Sequence, residues 1–300
     1  MKTLFILISR NVKLFFKDKA MFFTALITPG ILLLLYATFL GNVYESSFLA
    51  ALPAGLPMAE ELIGGCVGGQ LISSIMAVSC VTVSFCSNML SVQDKALGTA
   101  RDFRVSPVSL PLLSMSYYFA SLFSTLIICF SATALCLGYV AVVGWHFSVS
   151  DILFLLLDVI LLCLFGTALS GVINHFLSTQ GQISAVGSIV SSCYGFICGA
   201  YMPISQFSSG LQKVISFLPG TYGTSLVRNH ALRGVFTAMK AEGYPEEAIE
   251  GMKNAVDCNL YFFDHAVSVP QMYAVLGITV FLLVCVFVLL NFRKGKRING

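Results

Sequence analysis

Few residues in this sequence have the type and spacing that catalysis would need. The clearest candidate is Asp158, an acidic residue inside an apolar stretch at about residues 152–176. An ionisable group at that depth is costly and should face protein or water, so a functional role is the default interpretation. A structural hydrogen bond to a neighbouring Ser or Thr explains Asp158 equally well. A membrane-embedded enzyme would need several convergent acidic or His groups, so we predict no catalytic residue.

Sequence signatures for ATP and for metal ions are missing. No G-x-x-x-x-G-K-[ST] motif occurs, so the chain has no loop of that kind to cradle phosphates. Among the ten Cys there is no Cys-x-x-Cys or Cys/His spacing typical of a metal site. Most of them lie in apolar stretches, where Cys behaves as a small apolar filler. We predict no bound cofactor and no metal site, and leave open a disulfide between Cys66 and Cys258.

Composition predicts the elements that must position these residues. The chain is 57% hydrophobic and 10% charged, against roughly 25% charged in soluble domains, and its mean hydropathy is +0.88. A membrane-spanning helix needs about 20 apolar residues. The sequence therefore predicts an all-α polytopic membrane protein with six transmembrane helices. The predicted spans are at about residues 20–40, 62–90, 112–143, 152–176, 183–202 and 272–292.

The positions of Lys and Arg predict the orientation of these spans. With a cytoplasmic N-terminus, all basic residues outside one long outer segment fall on the cytoplasmic side. Long segments translocate regardless of charge, so both termini are predicted to be cytoplasmic. Residues 2–18 place apolar and basic residues at helical spacing, which favours an amphipathic interfacial helix over a frayed basic tail.

Residues 91–111, between the second and third predicted spans, form a charged cytoplasmic loop. Lys95 to Phe103 could form a two-turn helix along the membrane surface, which Ser106 and Pro107 would end. Either a soluble partner binds this helix, or the segment is a solvated connector.

The segment after the fifth span is neither polar enough for a free loop nor apolar enough for two more spans. Gly199 and Pro203 should break the helix there, and residues 203–234 fit a re-entrant hairpin buried against protein. Residues 235–268 are predicted to form an external cap with one short helix beginning after Pro245.

The second span carries a face of small polar residues that includes Ser73 and Ser74. Such a face suits close helix packing. It could equally line a substrate pathway, and Ser73, Ser74 and Asp158 are the candidate pathway residues.

The order of several short motifs resembles that of the permease subunits of type-2 ATP-binding-cassette (ABC) exporters, over essentially the whole chain. The matching cytoplasmic motifs are Gln93-Asp94-Lys95, Gly98-Thr99 and Ser106-Pro107. The matching residues of the hairpin are Gly199, Pro203, Leu218-Pro219, Tyr222 and Arg228. One departure is that the family's frequent Glu-Arg-Glu cluster is here Gln-Asp-Lys.

The resemblance implies a dimer of permeases, each above a separate ATPase subunit that binds ATP and Mg. Residues 94–107 would form a coupling helix seated in the ATPase, with the N-terminal helix also in contact. The implied coupling residues are Asp94, Lys95, Gly98, Thr99, Arg101, Arg104, Ser106 and Pro107. The resemblance also implies a plasma-membrane protein, of bacterial origin, with lipids but no nucleic acid among its partners.

Two other functional classes stay open at this point. A secondary transporter driven by an ion gradient would show internal repeats and broken midplane helices, and neither is evident. A membrane-embedded enzyme is the third class. The cargo stays open as well, since drugs, peptides, lipids and polysaccharide chains all suit permeases of this shape.

Overall fold

The structure is a computed structural model of the 300-residue chain. It describes residues 2–52, 57–99, 102–103, 106, 108–263 and 265–296, without the side chains of Ala37 and of residues 292–296. The described residues form an all-α bundle that carries one short β-hairpin.

Within the described residues, five helical segments are long and apolar enough to cross a membrane. The first comprises α2 (Lys19–Leu35), a π-helical turn (Tyr36–Leu40) and α3 (Gly41–Ala50). The next three are α4 (Glu60–Ala96), α5 (Leu110–Val143) and α6 (Val149–Phe176). The fifth lies in the last helix, Val269–Lys296, over Val269–Asn291.

The predicted span at 183–202 corresponds to α7 (Gln180–Ile197), which is not one of the five. The Gln, Gly and Ser residues of α7 lower its mean hydropathy. At 1.5 Å per residue its 18 residues extend about 27 Å, close to the ~30 Å of a hydrocarbon core. A membrane crossing by α7 therefore stays a prediction.

Helix α4 is the core around which the bundle is built, and most of its residues are buried. It packs against α2, α5, α6 and α7. Small polar residues hold these contacts: Asn88 Nδ2 donates to Ser170 Oγ at 3.0 Å, and the hydroxyls of Ser87 and Ser121 lie 2.7 Å apart. Small and hydroxyl-bearing residues let spanning helices approach closely.

The N-terminal residues form helix α1 (Lys2–Lys17), so the frayed-tail alternative is wrong. One face, with Leu7, Asn11 and Phe15, is buried, and the helix packs on α5. Asp18 caps the start of α2, accepting a hydrogen bond from Met21 N at 3.1 Å. We call the end of the bundle at which α1 lies the α1 end, and the opposite end the far end.

The segment after α7 differs from the predicted hairpin and cap. A 3-10 turn (Ile204–Gln206) and the short helix α8 (Ser209–Ile215) lead to α9, which runs from Pro219 to Ala241, seven residues beyond the predicted hairpin boundary at 234. Its mostly buried residues pack against α4, α6 and the last helix. It continues because residues 235–241 contain neither Pro nor Gly.

A short helix, a strand pair and the final helix follow α9. Helix α10 (Glu246–Ala255) begins directly after Pro245, as expected. It is followed by strands β1 (Leu260–Phe262) and β2 (His265–Val267), an antiparallel pair that the sequence did not indicate. The final helix, α11, is Val269–Lys296. The disulfide alternative is wrong for this structure, because Cys66 and Cys258 are buried free thiols.

Candidate functional site

At the α1 end, a buried carboxylate joins three helices. Asp94, near the end of α4, is 6% exposed. Its Oδ2 accepts a hydrogen bond from Arg10 of α1 at 3.1 Å and another from the hydroxyl of Tyr117 of α5. Hydrogen bonds to ionised groups are among the strong ones in proteins. The charge of Asp94 thus holds α1 and α5 against the end of α4.

The next residue connects α4 to a fourth helix. Lys95 Nζ donates to the backbone oxygens of Asn174 at 2.7 Å and Leu177 at 3.3 Å, at the end of α6. A cation at this position also interacts favourably with the negative end of the helix dipole. We call Arg10, Asp94, Lys95, Tyr117 and Asn174 the α1 corner.

The segment that follows the corner is the 97–106 loop. The predicted helix from Lys95 to Phe103 is wrong at its start, because Lys95 belongs to α4. Gly98 has φ +86°, a left-handed conformation that ends α4, and helical geometry resumes at Thr99 and at Asp102–Phe103. Ser106 Oγ donates to Phe103 O at 2.7 Å. The predicted coupling residues Arg101, Arg104 and Pro107 lie outside the described residues.

Arg10 also contacts the 97–106 loop directly. Its guanidinium carbon lies 5.1 Å from the centroid of the Phe103 ring, within the range of a cation–π interaction. The side chain of Leu97, at the start of the loop, is 74% exposed. One arginine of α1 therefore bridges the end of α4 and the loop, so a force on the loop reaches α1 and α4 together.

In the opposite half of the bundle, Asp158 is hydrogen-bonded to two residues that the sequence did not indicate. Asp158 Oδ2 lies 2.6 Å from His230 Nδ1 of α9, and Tyr273 OH of α11 donates to Oδ1 at 2.5 Å. The expected Ser or Thr partner is wrong. We call these three residues the Asp158 cluster. It joins α6, α9 and α11 through one buried carboxylate.

The residues of the predicted hairpin meet around a second buried ion pair. Arg228 of α9 donates to Gly199 O at 2.9 Å and lies 3.6 Å from Asp257 Oδ2. Asp257 in turn accepts from Ile204 N at 2.6 Å, directly after Pro203. Burial raises the pKa of Asp257 above its ordinary value, and the guanidinium of Arg228 opposes that rise.

We call Arg228, Asp257 and Gly199 the Arg228 clasp. Gly199 has φ +74°, which suits a residue without Cβ at the break after α7. Pro219 occupies the first turn of α9, where its missing N–H costs nothing. Tyr222 OH donates to Ser216 O at 2.6 Å. Together these contacts fix the connection between α7 and α9.

Ser73 and Ser74 on α4 contact protein rather than solvent. Ser74 Oγ lies 3.0 Å from Tyr36 OH, and Ser73 Oγ donates to Gln70 O at 2.8 Å. Both side chains are fully buried. In this arrangement their hydrogen bonds support α4 and its packing on the first spanning segment.

A cavity of about 360 Å³ opens at the far end next to His230. Its walls carry Lys240, Glu246, Glu250 and Lys253. Lys240 Nζ lies 2.9 Å from Glu246 Oε1, and this contact lowers the pKa of the Glu246 carboxyl. The cavity therefore joins the Asp158 cluster to charged groups at the surface of the far end.

Comparison with known proteins identifies the sequence class. A family model described as ABC-2 type transporter matches residues 2–231, more than three quarters of the chain. The match includes α1, the 97–106 loop and Arg228, and ends before α10 and α11. A comparison with curated proteins finds no similar sequence.

Proposed function

The chain belongs to the ABC-2 type transporter family as a membrane permease subunit, and we propose that it works in ATP-driven export. Two copies would form the pathway, and a separate ATPase subunit carrying ATP and Mg would dock under each. The α1 end would face the cytoplasm and the far end the exterior of the plasma membrane. The observation that carries the proposal is the α1 corner, which joins the ends of α4 and α6 to α1 and α5 next to the 97–106 loop.

The corner gives a physical route for coupling. ATPase closure has to move a stiff element of the permease, and the 97–106 loop follows directly on α4, the core helix. Asp94 and Lys95 face the bundle, so we propose that they anchor the 97–106 loop to the bundle. Contact with the ATPase would come from exposed positions such as Leu97, together with Gly98, Thr99 and the predicted coupling residues up to Pro107.

With both termini in the cytoplasm, the chain has to cross the membrane an even number of times. The five long apolar segments alone would leave the basic residues at 293–297 on the opposite side from α1. That arrangement conflicts with the tendency of Lys and Arg to remain cytoplasmic. We therefore propose that α7 is the sixth crossing, and that α8 and the start of α9 form a re-entrant hairpin held by the Arg228 clasp.

Two glycines offer a matched test of coupling. Gly98 and Gly243 share φ +86°, and a Cβ would meet nothing within 4 Å at either position. Replacing either one by Ala imposes similar backbone strain, but only Gly98 lies in the loop. The assay is ATP hydrolysis by a candidate ATPase co-purified with the chain in proteoliposomes.

We expect Gly98→Ala to reduce the permease-dependent stimulation of ATP hydrolysis severalfold and Gly243→Ala to leave it unchanged. Equal effects of the two variants would remove the loop from the mechanism. A chain that binds no ABC ATPase, yet transports solutes down an imposed ion gradient, would favour the secondary-transporter alternative.

A further inference from the structure

Three buried thiols from three different spanning helices meet inside the bundle. They belong to Cys80 of α4, Cys129 of α5 and Cys163 of α6, and all three residues are fully buried. Their sulfur atoms all lie within 4.8 Å of one another. Each cysteine lies near the middle of its helix, far from both ends of the bundle.

Close helix packing brings these sulfurs together. Gly166, three residues after Cys163, lies against α4, where a Cβ would come 2.8 Å from Cys80 O. A larger residue at 166 would push α6 away from α4 and separate the two thiols. The Sγ of Cys80 also lies 3.9 Å from Val159 O of α6. Close backbone packing of α4 and α6 therefore brings two of the three thiols together.

The spacing suits a metal ion bound by three sulfurs. Thiolate–metal distances are about 2.3 Å, which places three sulfurs around one ion at roughly 4 Å from each other. The cluster needs an inward shift of less than about 1 Å per pair to reach that geometry. Side-chain rotation is enough for such a shift, so no helix has to move.

The type and number of donors indicate which ion would bind. Thiolates without carboxylate or imidazole select soft ions such as Cu(I). Structural zinc sites are nearly always four-coordinate, whereas this cluster offers three thiols. A further soft atom, the Sδ of Met76, lies one turn before Cys80 on α4. It accepts a hydrogen bond from the hydroxyl of Thr133 at 2.9 Å.

We propose that Cys80, Cys129 and Cys163 form a Cu(I) site that joins α4, α5 and α6 inside the bundle. Copper enters and remains as Cu(I), so no electron is transferred. The thiol protons that the ion displaces leave to the solvent as thiolates form. The proposal does not depend on ATP coupling or on the cargo.

The test is the copper content of the full chain, expressed in copper-supplemented medium so that the buried site can load during folding. The protein is purified anaerobically with a Cu(I) chelator in the wash. Cys136→Ser is the matched control, because Cys136 is also buried on α5 but lies outside the cluster. We expect about one copper per chain in the wild type and in Cys136→Ser, and at least a tenfold loss in Cys129→Ser and in Cys163→Ser.

X-ray absorption of the wild type gives a readout that needs no variant. We expect three sulfur neighbours at about 2.3 Å and no nitrogen or oxygen. Copper bound through nitrogen or oxygen would overturn the proposal, as would equal copper loss in Cys136→Ser. A wild type that retains no copper, or that retains zinc in its place, would overturn it too.

Discussion

Replacing Arg10 by Gln removes the guanidinium that joins α1 to the end of α4 and to the 97–106 loop. The side chain of Arg10 is 30% exposed and that of Asp94 8% exposed, so the pair is only partly screened by water. Hydrogen bonds to charged groups contribute about 1.5–3 kcal/mol. With partial screening, and with Tyr117 still donating to Asp94, we expect a value at or below the lower end of that range, about 1–2 kcal/mol.

A change of that size shifts an equilibrium roughly 5- to 30-fold. If the loop transmits ATPase closure, Arg10→Gln shifts the loop toward a position in which it is not coupled to α1. The permease-dependent stimulation of ATP hydrolysis then falls by about that factor. The assay is the ATP hydrolysis rate of the reconstituted complex, compared with that of the ATPase alone. Thermal unfolding of the purified chain checks that the variant is folded.

Arg233→Gln is the control. Arg233 also bonds to a buried aspartate, Asp151, and also lies over a ring, that of Phe154, but at the far end. Arg233 is 43% exposed, so solvent screening keeps its cost below about 1 kcal/mol. Arg233→Gln should leave stimulation unchanged. The reasoning is refuted if both variants lower stimulation equally, or if Arg10→Gln lowers only the unfolding temperature.

Two further predictions concern buried ionisable groups. His230→Ala leaves Asp158 with one partner fewer, so we expect about 1–3 kcal/mol of lost stability in thermal unfolding, partly restored by His230→Gln; no loss would contradict the hydrogen bond. Arg228→Met leaves Asp257 buried without its cation, at an expected cost of about 3–5 kcal/mol near neutral pH. Without Arg228 the pKa of Asp257 rises further, so the folded state binds the proton more tightly than the unfolded state. The difference in unfolding temperature between Arg228→Met and the wild type should therefore shrink as pH falls from neutral toward 5. A difference that stays constant would contradict the pairing of Arg228 with Asp257.

The sequence predicted those parts of the fold that depend on local composition. Apolar runs of about 20 residues located the long spanning helices, and Pro245 located the start of α10. The polarity of α7 left its crossing undecided, because Gln180, Gln182 and several Gly and Ser lower its hydropathy without breaking the helix.

The contacts that form the sites could not be predicted in the same way. Arg10 and Asp94 are 84 residues apart, and Asp158 and His230 are 72 apart. No local pattern specifies such a pairing, which depends on the rotation of each helix about its own axis. One usable signal was His230, a titratable residue in a mildly apolar helical stretch that also contains Arg228 and Arg233.

The cluster of three thiols could not be predicted from the sequence either. The three cysteines lie in three different apolar runs, so sequence spacing indicates only apolar fillers. Packing of α4 against α5 and α6 brings the sulfurs together. The prediction that no metal site exists used sequence spacing, which does not register this kind of cluster.

The central claim is that the 97–106 loop contacts an ABC ATPase. The most direct measurement is photo-crosslinking in native membranes, with a benzophenone amino acid placed at Leu97 and, as a control, at Leu135 of α5. The two side chains are 74% and 75% exposed. We predict a crosslink to the ATPase from Leu97 and none from Leu135. Absence of a crosslink from Leu97, or equal crosslinking from the two positions, would contradict the account.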